Sequence, residues 1–221
     1  MPLTFNDIKS EIASAVNGDY RAGILLGRLR TKGSGYKDAH AYALRVGTVI
    51  GNVLKKYQPE DLSEWDLDDL IPGTLGLDHS MVAVACKEAQ KNLNLDAGIG
   101  MLPQEPMFDG NRAYGLVEAV KARGEIGKLF YDQITNFSQN VVDQAIKDNA
   151  DFQSRAGLYP KIVRTAEHHC CEYCDKLEGT YDYSDVSNTG NPVWTRHDNC
   201  RCLIEYIADA RRDRINNYRR R

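Results

Sequence analysis

Five of the six cysteines fall in the last quarter of the chain, first as Cys170-Cys171-Glu172-Tyr173-Cys174 and then beside a histidine, as His197-Asp198-Asn199-Cys200-Arg201-Cys202. Thiols at i and i+3 meet on one side of a tight turn. His197 and Cys200 repeat that spacing after the segment from Asp175 to Arg196. Two short ligand pairs joined across a loop are the usual way a small module makes a tetrahedral zinc site. The favoured ligands are Cys171, Cys174, His197 and Cys200, with Cys202 the leading substitute for either member of the second pair. Cys170 is out of register for the knuckle when Cys171 is used, and His168 and His169 stand upstream as outer partners or plain polar residues. A catalytic zinc keeps an open position and needs a general base nearby, whereas thiolates here are plentiful, so the pattern points to a closed structural site. The competing reading is disulfides or unligated buried thiols.

Composition sets the surroundings. The chain has 221 residues, 42% hydrophobic and 27% charged, which suits one or two soluble globular domains. A net charge of −3 gives no bulk attraction to nucleic acid or to an anionic membrane. The first residues carry no basic, apolar signal-peptide pattern, and no stretch is apolar for the length a membrane span needs, so no span is expected. A reducing cytosol follows as the place of synthesis, where clustered cysteines read as metal ligands more often than as disulfides. Cys86, alone in an apolar run, reads as a core residue.

The elements that must position these ligands are mostly helical. Phe5, Ile8, Ile12 and Val16 recur at helical spacing behind Thr4 or Asn6 as a cap. Tyr20 to Arg30 is a second amphipathic segment, and Tyr36 to Tyr57 a longer one. Pro59 to Gly76, acidic and punctuated, reads as a loop or short helical turn, with Asp78 as the cap of a helix running to about Leu93. Two further helices are expected over Arg112–Ala122 and Glu125–Phe152. After Pro160 the pattern changes: Lys161 to Ala166, Leu177 to Tyr183 and Cys202 to Ile207 read as short strands. The expected class is therefore α+β, mostly helical. It divides into a helical region (1–95), a linker (96–110), a helical arm (111–157), a zinc-binding α+β lobe with short antiparallel strands (158–207) and a basic tail (208–221).

The order Cys171-x-x-Cys174, Leu177-x-Gly179, then His197-x-x-Cys200-x-Cys202 and a hydrophobic strand resembles the C-terminal module of the phage Mu F-like minor head proteins, the phage head morphogenesis family. The resemblance covers about Arg112 to Ile207; the first hundred residues carry no matching motif. Asp198 stands where the family often has proline after the histidine, and Glu172-Tyr173 lacks the proline often found within the knuckle. The resemblance implies a non-enzymatic, low-copy virion component, made in the host cytoplasm and placed in the phage head near the portal. Its partners would be the portal protein, the major capsid protein or scaffold, and its task head assembly or genome packaging and delivery.

Two other readings stand beside it. A His-Asn-His-type zinc-knuckle nuclease needs a catalytic histidine, for which His168 or His169 would serve, and a following helix with further ligands that the sequence lacks. A DNA-binding zinc module would use the tail, where Arg211, Arg212, Arg214, Arg219, Arg220 and Arg221 could pair with packaged DNA or an acidic portal surface. The simpler reading of the same tail is a solvated helix face or a frayed end. Trp194 is expected to pack over the zinc lobe.

Overall fold

The computed structural model describes residues 2–57, 62–167, 170–197 and 200–208. His168, His169, Asp198 and the tail arginines singled out above lie outside the described residues. Among the described residues six long helices make the body. Helix α1 (Phe5–Gly18) buries Ile8, Ile12 and Val16, and the Thr4 backbone N–H donates to the Asp7 carboxylate at 2.8 Å. Helix α2 (Tyr20–Leu29) is capped by Asp19, which accepts from the Ala22 N–H. Helix α3 (Tyr36–Leu54) is buried along most of its length and forms the centre of the body.

Helix α4 runs from Leu67 to Asp96 and corrects the expectation of a loop up to Gly76. Asp66, not Asp78, is the N-cap, with its carboxylate accepting from the Asp69 N–H at 3.3 Å. Pro72 is absorbed inside the helix, at the cost of one backbone hydrogen bond. Burial offsets that cost: Leu67, Leu70, Ile71 and Leu75 all lie in the core, and Gly73 lets Phe5 pack directly on the helix. A Cβ at Gly73 would fall 2.4 Å from Phe5 Cγ. Asp78 is consequently in mid-helix and fully buried.

Residues 97–109 carry neither helix nor strand, but side-chain amides stitch them down. Asn94 donates to the Met101 carbonyl, and Asn149 both accepts from the Gln104 N–H and donates to the Gln104 carbonyl. Helix α5 (Gly110–Arg123) follows, capped by Asp109 and ended by Gly124, whose φ of 70° is the left-handed conformation a helix C-terminus favours. Helix α6 (Lys128–Arg155) then packs along α3. They come close at Gly47, where a Cβ would stand 2.8 Å from Thr135 Cα and 2.6 Å from Ser138 Oγ. One apolar core runs from Ile8 in α1 to Tyr206 near the end of the described chain, so the stretches read as helical region, arm and lobe share it.

The C-terminal part is a three-stranded antiparallel sheet in the order β2-β1-β3, built from β1 (Lys161–Thr165), β2 (Gly179–Asp182) and β3 (Leu203–Ile207). All three expected strands are present. One-turn helices α7 (Glu172–Asp175) and α8 (Tyr183–Val186) flank β2. Strand alternation puts Ile162 and Arg164 of β1 and Ile204 and Tyr206 of β3 on the inner face, against the helices. Trp194 packs against the main apolar core and donates its indole N–H to the Val186 carbonyl; it does not cover the cysteines. Cys86 is a core residue, as expected.

Candidate metal centre

The chain leaves β1 and reaches the first ligand pair in one tight turn. Cys171 is the residue before α7, and its carbonyl accepts from the Asp175 N–H, which curls Cys171 and Cys174 onto one side. The second pair is folded the same way, by a hydrogen bond from the Cys200 N–H to the His197 carbonyl at 3.1 Å. Cys202 follows at the mouth of β3. Thus β1 supplies one rim of the site and β3 the other, and their pairing (Thr165 with Leu203, Arg164 with Ile204) fixes the distance between the two turns.

The five expected donors converge. The His197 Nε2 lies 3.3 Å from Cys171 Sγ and 3.1 Å from Cys174 Sγ, and Cys174 Sγ lies 3.8 Å from Cys200 Sγ. They form two triads, Cys171-Cys174-His197 and Cys174-Cys200-Cys202, within each of which every ligand atom is within 4.8 Å of the others. Cys174 belongs to both and is the hub. It is buried, as are Cys200 and Cys202, whereas Cys171 and His197 face solvent. Cys170 and Ala166 pack against the buried sulfurs from the outside. These groups fit a metal ion: the donors are soft, closely spaced and contributed by two rigid turns.

The electrostatics of the thiols agree with that fit. Burial pushes Cys174 well above the ordinary thiol range, and the neighbouring thiols of Cys202 and Cys171 hold it there. A proton so placed leaves readily only when a cation takes its position. Cys171 is drawn below the ordinary range, chiefly because the Cys174 backbone N–H points at its sulfur.

Two arginines to which the motif assigned no role hold the site in place. Arg164, on the inner face of β1, is fully buried. Its guanidinium donates to the carbonyls of Val193 and Thr195, at 2.5 and 3.0 Å, and reaches Cys174 Sγ at 3.7 Å. Arg196, one residue before His197, donates to the Cys202 carbonyl at 2.7 Å and forms a two-pronged ion pair with Asp143 of α6. His40 of α3 adds its Nε2 at 3.3 Å from the same carboxylate. Burial would raise Asp143, but the Arg196 charge beside it prevails and holds the carboxyl far below its usual range. Burial also lowers His40, against the opposing pull of Asp143, which keeps the imidazole neutral at pH 7. The signal for Arg164 was present in the sequence: it occupies the inward position of an alternating strand, two residues from Ile162. Arg196 carried no local signal, because Asp143 and His40 are remote in sequence.

Elsewhere, Asp78 is a buried acid whose only side-chain hydrogen-bonding neighbour among the described residues is Ser138, at 2.9 and 3.0 Å. Burial pushes it up to about 8. The Ser138 hydroxyl also lies 3.0 Å from the Ile134 carbonyl and has a single proton, so a neutral Asp78 that donates to Ser138 completes the chain of hydrogen bonds. Among the described residues no helix is long and apolar enough to cross a membrane. No family model matches this chain, and no curated protein or solved structure matches it.

Proposed function

We propose that Cys171, Cys174 and His197, completed by Cys200 or Cys202, bind a structural zinc ion, and that the chain is a non-enzymatic minor head protein of a tailed bacteriophage. The donor spacing carries the zinc reading. Zinc–sulfur bonds of about 2.3 Å and zinc–nitrogen bonds of about 2.0 Å give tetrahedral edges of roughly 3.8 Å between sulfurs and 3.5 Å between sulfur and nitrogen. The Cys174–Cys200 separation is 3.8 Å, and the two sulfur–nitrogen separations are 3.1 and 3.3 Å. A disulfide would draw two sulfurs to about 2.05 Å. The surplus of thiols favours a closed ion that stiffens the lobe and leaves no open coordination position for chemistry.

The role in the head is supported by the order of the motif residues, Cys171-x-x-Cys174, Leu177-x-Gly179, His197-x-x-Cys200-x-Cys202, and by a helical body of the size that protein–protein contact requires. In this reading the chain sits in few copies at the inner capsid near the portal, and its helices meet portal, capsid or scaffold. Co-expression with the cognate portal and capsid proteins, followed by sedimentation of the shells and elemental analysis, tests both halves. The expected result is a few copies per shell and about one zinc per chain. Shells that assemble without the chain, or a purified chain free of zinc, would overturn the corresponding half.

A further inference from the structure

Between α2, α3 and α6 the surface opens into a groove of about 430 Å³, whose lining also includes Cys200 and Arg201 of the lobe. Four cationic side chains line it, Arg21, Arg45, Lys55 and Arg201, against one carboxylate, Asp132. Arg45 is committed to Asp19, through a hydrogen bond of 2.9 Å from its Nε. Among the described residues, Arg21, Lys55 and Arg201 form no ion pair. Lys55 instead stands 5.2 Å from the centroid of the Tyr131 ring. The groove therefore concentrates positive charge on a chain whose net charge is −3.

Its walls hold a second, independent feature. Gln139 and Asn136 of α6 line the groove although they are 1% and 4% exposed. The Gln139 side-chain oxygen is wholly buried and has no hydrogen-bonding partner among the described residues. An unmet buried amide oxygen costs free energy in the absence of a donor.

We propose that this groove binds a phosphodiester strand, with single-stranded nucleic acid as the ligand. The three cations that form no ion pair come from separate elements, Arg21 from α2, Lys55 from the residues just after α3 and Arg201 from the lobe, so they suit a run of phosphates better than a single one. The Gln139 oxygen needs a donor, which the edges of unpaired bases supply and phosphates do not. A duplex keeps those edges paired and stacked, so the strand must be single.

The test is fluorescence anisotropy of the full-length, metal-loaded chain with a labelled mixed-sequence single-stranded 12-mer. The same strand as a duplex, polyglutamate and inorganic triphosphate serve as competitors. Three phosphate contacts predict that log K falls with log salt at a slope of about −2. Charge reversal at Arg21, Lys55 and Arg201 together should weaken single-strand binding at least tenfold. Gln139→Leu should weaken it about threefold or more while leaving the salt slope unchanged, the mark of a base contact. Circular dichroism and metal content keep a folding failure apart from a binding failure. Replacing the six tail arginines, Arg211 to Arg221, with serine separates their contribution. Binding that disappears only with the tail arginines, or polyglutamate or duplex displacing the strand at lower concentration than unlabelled single strand, would overturn the proposal. So would a groove variant that binds as wild type.

Discussion

Replacing Asp143 by alanine should damage the metal lobe more than any change at an exposed ligand, although Asp143 lies in a helix of the body. Its side chain is 5% exposed, and it faces a guanidinium that is 4% exposed and a neutral imidazole. Truncation leaves the Arg196 charge in the interior with no carboxylate beside it, facing only neutral groups such as the Cys202 carbonyl and the His40 imidazole among the described residues. Removing one partner of such a pair costs about 3–5 kcal/mol, a large share of the roughly 5–15 kcal/mol that holds a domain together. The second effect is on the ion. Arg196 precedes His197 and tethers the backbone of Cys202, so its release loosens two ligand positions, and loss of an outer partner of this kind lowers metal affinity about 10–100-fold. Urea unfolding followed at 222 nm measures the first effect, and competition with a chromophoric chelator measures the second. Asp143→Leu combined with Arg196→Met, which replaces both charges with apolar bulk, should recover most of the stability but little of the affinity. An Asp143→Ala chain that unfolds within about 1 kcal/mol of wild type and holds its metal as tightly would refute the argument.

Other outcomes follow from the same geometry. Cys174→Ser should abolish metal binding, because Cys174 is common to both triads, while Cys200→Ser and Cys202→Ser singly should each retain part of it; equal loss from all three in a chelator titration would contradict the hub role. Asp78 keeps its proton in the fold up to about 8 but releases it in the unfolded chain near its ordinary value of 3.8. Its contribution to stability is therefore complete below about pH 4 and is lost as pH rises towards 8, by at most about 1.4 kcal/mol per unit. Asp78→Asn should remove that slope, so its stability relative to wild type should improve by on the order of 3 kcal/mol between pH 5 and 7.5; a constant difference in urea unfolding at the two pH values would refute it. Gly47→Ala places a methyl group against Ser138 and the Thr135 backbone and should cost about 1–3 kcal/mol, read as a lower thermal midpoint; an unchanged midpoint would mean that α3 and α6 can separate freely.

The parts of this molecule that could be read from its sequence are those encoded locally. The i, i+3 ligand pairs, the strand alternation at Ile162 and Arg164, and the 3.6-residue spacing of Ile8, Ile12 and Val16 all lie within a few residues of one another. The start of α4 was misread because Pro72 and Gly73 are local breakers, while what overrides them is remote: Phe5 lies against Gly73 and the core receives Leu70 and Ile71. For the same reason Asp78 looked like a cap. Only the approach of α6, which brings Ser138, makes it a buried acid. The metal centre was legible as a set of ligands but not as a mechanical joint, since Arg196, Asp143 and His40 span more than half the chain and only the packing of α3 on α6 brings them together.

The strand order β2-β1-β3 also governs when the site can exist. The central strand of the sheet is the first of the three to be synthesised, and its longer-paired neighbour is the last. Cys171 and Cys174 therefore emerge long before the segment that supplies His197, Cys200 and Cys202. Throughout that interval β1 has an open edge and the first two thiols can hold an ion only weakly. The helices α1 to α6 precede all of this and can pack beforehand, including the face of α6 that carries Asp143. A metal ion held by these groups would thus be fitted last, onto a finished support, and a ribosome that stalls short of Leu203 leaves an assembled body with an unpaired strand edge and reactive sulfur.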